Sequence, residues 1–171
     1  MSVRGEWIDI DIWPKGRSGF DARYRIDCDD LYCYCKGTDH LIDWLHHFAP
    51  WAGRRERQGA EMILKRLLPH IPGKAVKIAG FSLGGAVGVE LALLIAGEVR
   101  LTIAGSKRPR WRDKLKKLDY IAYKHRGDIV PWLPPWRPRI KRMVKIGRWT
   151  PLFWRAHLSP LYREVLAREG F

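Results

Sequence analysis

Cysteine is scarce in this 171-residue chain. There are three, Cys28, Cys33 and Cys35, and they share one short stretch. That excludes a disulfide-built scaffold. Cys33 and Cys35 stand two apart, so in a strand both point to one face, at a separation poor for a disulfide. The reading is reduced thiols packed in a strand. Asp27, Asp29 and Asp30 lie close by, but their spacing matches no zinc pattern. The segment Met1-Ser2-Val3-Arg4-Gly5-Glu6 lacks a basic run followed by an apolar one, so no secretory signal is visible and cytoplasmic residence is expected. A long apolar run is missing too. Ile78 to Gly97 approaches the length of a membrane span, but Gly80, Ser82, Gly84, Gly85 and Gly88 interrupt it and Glu90 charges it. No repeat, low-complexity tract or clear linker divides the sequence, so residues 1–171 are expected to form one domain.

Acidic residues are few: 18 Asp and Glu stand against 32 Lys and Arg, a net charge of +14. The shortage is uneven. Residues 1–50 carry six Lys/Arg against nine Asp/Glu, whereas residues 100–155 carry seventeen Lys/Arg against three Asp. The basic half also holds Trp111, Trp132, Trp136, Trp149 and Trp154. Cations interleaved with Trp suit peripheral contact with an anionic membrane surface, because Trp prefers the interface and the cations meet headgroup phosphates. The same composition fits nucleic acid, through phosphates and base stacking. It also fits a solvated surface over a Trp-containing core. Of these partners nucleic acid is the less favoured.

Ile8, Ile10 and Ile12 alternate with Asp9 and Asp11, a strand pattern with one wet face. Tyr24 and Ile26, then Leu31 to Cys35, read as two more strands. Ala60, Ile63, Leu64, Leu67 and Leu68 form the apolar face of a helix over Gln58 to Leu68. Strands follow at Val76 to Ala79, Val99 to Ala104 and Leu118 to Tyr123, with a short last one at Met143 to Ile146. Helices are expected over Leu83 to Ala96, Trp111 to Leu118 and Ser159 to Glu169, the last with Ser159 as N-cap and Pro160 at its first position. Alternating strands and helices imply a parallel sheet, and the early strands imply an antiparallel edge.

Gly80-Phe81-Ser82-Leu83-Gly84-Gly85 lies between the strand Ala75 to Ala79 and the helix starting at Leu83. Strand, Gly-x-Ser-x-Gly, helix is the nucleophile-elbow pattern of serine hydrolases. The sharp turn needs small neighbours. It lifts the hydroxyl to a helix N-terminus, where unpaired N–H groups favour developing negative charge. A serine hydroxyl needs a base, and the base needs an orienting carboxylate. On this kind of sheet the chain order is Ser, acid, His. Only His125 and His157 follow Ser82, and Asp128 sits in a loop after a strand. His157 follows Asp128 and fits the order. His125 precedes it and reads as structural.

These segments together resemble the class 3 lipases, the fungal triacylglycerol-lipase-like branch of the α/β-hydrolases. Gly80 to Ala86 is similar to that family's Gly-His-Ser-Leu-Gly-Gly-Ala. Cys35-Lys36-Gly37-Thr38 with Asp43-Trp44-Leu45 resembles its Phe-Arg-Gly-Thr/Ser and Asp-Trp-Leu. Gly127 to Pro134 resembles its acid loop, and Ala156 to Tyr162 the region of its catalytic His. The resemblance implies a mostly parallel sheet with an antiparallel N-terminal edge and helices on both faces. It implies Ser82, Asp128 and His157 as a triad. It also implies an oxyanion hole from the amides of Leu83 and Thr38, and a lid helix over His40 to Phe48. Phe81 departs from the pattern, standing where the family has His.

The expected activity is hydrolysis of a carboxylic ester, with a lipid ester as substrate class and no metal or organic cofactor. An acyltransferase or thioesterase on the same fold, or a non-catalytic basic module binding lipid or nucleic acid, are the alternatives.

Overall fold

The computed structural model describes residues 5–11, 21–37, 52–107, 115–137, 139–140 and 143–171. Seven strands form one sheet: β1 (Ile8–Asp11), β2 (Asp21–Asp27), β3 (Asp30–Cys35), β4 (Ala75–Phe81), β5 (Val99–Ala104), β6 (Asp119–His125) and β7 (Val144–Ile146). Four helices are described: α1 (Ala52–Leu67), α2 (Leu83–Leu94), α3 (Phe153–His157) and α4 (Pro160–Arg168).

The strands lie side by side in chain order. β1, β2 and β3 pair antiparallel, and β3 to β7 pair parallel. That order has a consequence for the layers. Parallel crossovers are right-handed, so a sheet that grows steadily in one direction places every crossover on the same face. The main core lies there. Ala60, Ile63 and Leu67 of α1 and Val87 and Leu91 of α2 meet Leu31, Cys33, Ile78 and Leu101 of the sheet. Leu115 and Ile140, from the two later crossovers, join the same core. The opposite face is left to α4, whose Tyr162 and Leu166 pack on Ala79 and Ala104.

Local sequence accounts for each layer. On α1 the buried residues Glu56, Ala60, Ile63 and Leu67 recur at three- and four-residue steps, which makes one helical stripe. Every residue of α2 from Leu83 to Ala92 is buried, as befits a helix held between α1 and the sheet. Cys33 and Cys35 face the core together and remain free thiols. Lys77 in β4 faces the α4 side and pairs with Asp30 at 2.6 Å.

The strand expected at Ile8 to Ile12 is β1. Ile10 is buried but Ile8 is exposed, because β1 is the edge of the sheet. The helix expected from Gln58 begins earlier, at Ala52. Of the basic helix expected over Trp111 to Leu118, residues 111–114 lie outside the described residues, and of 115–118 only Leu115 is helical. Among the described residues no helix is long and apolar enough to cross a membrane.

Candidate active site

Ser82 occupies the single residue between the end of β4 and the start of α2. Its backbone has φ 55° and ψ −121°. A non-glycine residue with positive φ is uncommon, and here the surroundings fix it. Its N–H donates to the Ala104 carbonyl at 3.0 Å, and its own carbonyl accepts from the Gly85 N–H at 3.2 Å. The small neighbours are required by close approach. A Cβ at Gly80 would overlap the Gly84 carbonyl, one at Gly84 the Cys35 carbonyl, and one at Gly85 the Ser106 side chain.

Asp128 comes from the loop after β6, and no part of it is exposed. Gly127 precedes it at φ +97°, against the Thr150 carbonyl. The Asp128 Oδ1 accepts the Val130 N–H at 2.9 Å. Its Oδ2 accepts the Tyr162 hydroxyl at 2.6 Å and stands 3.0 Å from His157 Nδ1. His157 closes the short helix α3, and its Nε2 is 2.9 Å from Ser82 Oγ. A proton on Nδ1, donated to the carboxylate, leaves Nε2 as the acceptor facing the serine. The order carboxylate, imidazole, hydroxyl therefore runs unbroken through a site in which all three side chains are buried.

Two aromatic residues frame this row. Phe81 stacks on the His157 ring, with centroids 5.1 Å apart and 21° between the planes. Tyr162, in α4, accepts the His125 N–H at 2.6 Å and donates to Asp128. Burial, then the negative charge of Asp128 and the hydrogen bond to it, push the Tyr162 hydroxyl far above its ordinary range. It stays protonated and remains a donor.

The structure brings Ser82, Asp128 and His157 together. Leu83 opens α2, so its amide is one of the first-turn N–H groups that lack an intrahelical acceptor. Thr38 lies outside the described residues, as does the segment His40 to Phe48. Gly37, just before Thr38, reaches the elbow: a Cβ there would come within 2.9 Å of both the Phe81 carbonyl and Ser82 Cβ. His125 is a buried structural residue, its Nδ1 2.8 Å from the Arg126 carbonyl. Among the described residues no group of three or more His, Cys, Asp and Glu is placed to hold a metal ion.

Sequence reasoning gave Tyr162 no role, although it lies in a segment singled out above. It also missed a buried charge cluster. Glu56 of α1 bonds Lys107 Nζ, and Arg137 Nη1 reaches both its carboxylate oxygens at 3.0 Å. Burial pulls the Lys107 ammonium below its ordinary range, against the opposing pull of Glu56. The signal was present in the periodicity, since Glu56 falls on the same stripe as Ala60, Ile63 and Leu67. A groove of about 700 Å³ lies on the α4 side between Arg23, Tyr34 and Lys36 and the α4 residue Arg163 with Phe171. It includes none of Ser82, Asp128 and His157.

No protein-family model matches the chain, and no curated protein matches it. Solved structures do. Lipase II from Rhizopus niveus aligns with a TM-score of 0.57 at 16% identity, over 76% of this chain and 63% of that one. A lipase from Rhizopus microsporus var. chinensis aligns with a TM-score of 0.53 at 16% identity, over 69% of this chain and 53% of that one. The protein has a lipase-like α/β-hydrolase fold. A deletion mutant of the Rhizomucor miehei lipase propeptide complex gives a TM-score of 0.50 at 17% identity, over 75% of this chain and 51% of its own. The chain thus spans between about half and two thirds of each lipase's length.

Proposed function

We propose that the chain is a single α/β-hydrolase domain that cleaves carboxylic esters, with an ester or lipid as substrate. The observation that carries this reading is the unbroken row from Asp128 Oδ2 to His157 Nδ1 at 3.0 Å and from His157 Nε2 to Ser82 Oγ at 2.9 Å. His157 takes the Ser82 proton as the oxygen attacks the ester carbonyl. The tetrahedral oxyanion is held by the Leu83 amide at the start of α2, with Thr38 as the second donor. Removing one such donor typically costs about 10²–10³ in rate. His157 then gives its proton to the leaving alkoxide, which departs as the alcohol. Water, deprotonated by His157, attacks the acyl-enzyme and releases the acid, restoring the Ser82 hydroxyl. Asp128 holds the imidazole in the tautomer this sequence needs and stabilises its charged form.

The test pairs the native protein with Ser82→Ala. Both are reacted with a fluorophosphonate probe and with esters, thioesters and amides of several acyl lengths. Ester turnover and labelling by the native protein, both lost in Ser82→Ala while its circular dichroism is unchanged, are the expected result. Labelling that survives in Ser82→Ala overturns the role of Ser82. Faster turnover of thioesters than of esters moves the activity to a thioesterase on the same residues.

A further inference from the structure

Tryptophan is normally drawn into cores, yet four of the five described tryptophans are exposed, and all four belong to the basic half. Trp149 is 70% exposed, Trp136 64%, Trp154 51% and Trp132 38%. Ile129 and Leu158 are exposed beside them, Leu158 to 71%. Contacts already described bring these residues to one region. Ile129 and Leu158 directly follow the bonded pair Asp128 and His157. Trp149 directly precedes Thr150, which packs on Gly127. Trp154 lies on α3 with His157. Ile129, Leu158, Trp149 and Trp154 are therefore held close to Asp128 and His157, and Trp132 and Trp136 follow in the loop that begins at Asp128. A single exposed apolar side chain needs no explanation, but a set of this size in one stretch of the chain marks a contact surface.

The charge of the same segment says what it contacts. From Lys124 to Arg163 there are ten Lys and Arg, and the single acid is Asp128, which is wholly buried. Arg126, Arg139, Lys145, Arg148 and Arg155 are exposed, and none of them pairs with a carboxylate among the described residues. The Lys124 ammonium lies 4.0 Å from the centroid of the Trp132 ring, and the Arg139 guanidinium 5.1 Å from it. Indole rings with cations at the same level are the chemistry of a bilayer headgroup layer carrying negative charge.

We infer that this face docks on an anionic phospholipid bilayer, with Trp132, Trp136, Trp149 and Trp154 in the headgroup layer and the surrounding Arg and Lys on lipid phosphates. The docking turns the mouth of the Ser82 site toward the acyl esters of the membrane; this orientation rests on the hydrolase reading, whereas the docking itself does not.

The binding assay uses Ser82→Ala, so that no lipid is consumed, with vesicles of phosphatidylcholine alone and of equimolar phosphatidylcholine and phosphatidylglycerol. Binding to the anionic vesicles alone, weakening as salt rises, is expected. Adding Arg148→Gln or Arg155→Gln is expected to weaken it about fivefold each, the effect of about 1 kcal/mol per cation near such a surface. Trp149→Ala with Trp136→Ala is expected to abolish it, with tryptophan fluorescence no longer shifting to the blue on vesicle addition. Equal binding to both vesicle types, or binding indifferent to the Trp substitutions, overturns the proposal. So does tighter binding to single-stranded DNA than to the anionic vesicles. Hydrolysis of a monomeric short-chain ester by the otherwise native protein separates the two readings. Turnover without vesicle binding removes the docking and keeps the hydrolase; vesicle binding without turnover does the reverse.

Discussion

Phe81 lies almost parallel to the imidazole of His157, 5.1 Å between ring centroids, so the residue before the elbow serine forms one wall against that ring. The class 3 pattern has His at this position. An aromatic ring pressed on the imidazole fixes its plane.

Phe81→Leu is expected to lower kcat on a soluble ester roughly two- to tenfold with little change in KM, since such ring pairs contribute about 0.5–1.5 kcal/mol. Phe81→His, which keeps a flat ring, is expected to retain most of the activity. Steady-state kinetics of both variants check this. A Phe81→Leu enzyme with native kcat would rule the stacking out as a contributor.

Tyr162 shares one carboxylate oxygen of Asp128 with His157. Tyr162→Phe deletes a charge-assisted hydrogen bond and leaves the buried His125 N–H without the acceptor it has now. A loss of about 1–3 kcal/mol of stability is expected in chemical denaturation, together with a lower kcat.

Tyr34, Tyr123 and Tyr162 all have hydroxyls raised above the ordinary tyrosine range, with burial the largest cause in each. A folded value above the unfolded one is a contribution that is complete below about pH 10 and is lost as pH climbs past it. The melting temperature is therefore expected to fall above about pH 10, and to fall less in Tyr162→Phe. Thermal melts of the two proteins on either side of that pH test it.

The glycines after the serine should differ sharply. A Cβ at Gly84 would overlap the Cys35 backbone, which cannot yield without moving β3. At Gly88 it would meet Ile78 Cγ2 and Leu101 Cδ1 at 3.4 and 3.5 Å, ordinary contact distances. Gly84→Ala is expected to cost about 3 kcal/mol or more, whereas Gly88→Ala should be neutral or stabilise by up to about 1 kcal/mol through helix propensity. Urea denaturation of the two variants compares them directly.

Glu56 stands between two cations in the interior. Glu56→Gln removes the carboxylate that Lys107 and Arg137 share in the interior, and a loss of about 3–5 kcal/mol is expected in the same assay.

What could be read in advance follows from where the physical constraint lies. The elbow at Ser82 was legible because a strand-to-helix turn with positive φ imposes its small residues locally. Asp128 and His157 were legible through their order along the chain and their loop positions. Tyr162 was not, because its partner is chosen by how α4 lies across β6, a tertiary fact with no local pattern. Glu56, Lys107 and Arg137 escaped for a related reason. Charges on an amphipathic helix are normally solvated, and only the docking of α1 against the later loops encloses them. Ile8 shows the opposite error: alternation alone reads it as inward, while its place on the edge strand leaves it in solvent. The oxyanion donor expected at Thr38 and the lid expected over His40 to Phe48 lie outside the described residues.

The order of the strands also bears on when the site comes into being. Each strand is laid beside the one made before it, so the sheet can grow from β1 to β7 as the chain lengthens, without waiting for a distant partner. Ser82 is in place once β4 and α2 have met, and Asp128 follows β6. His157 does not arrive until α3, after all seven strands. A chain ending before α3 would therefore carry the elbow serine without the imidazole that takes its proton in the proposed reaction.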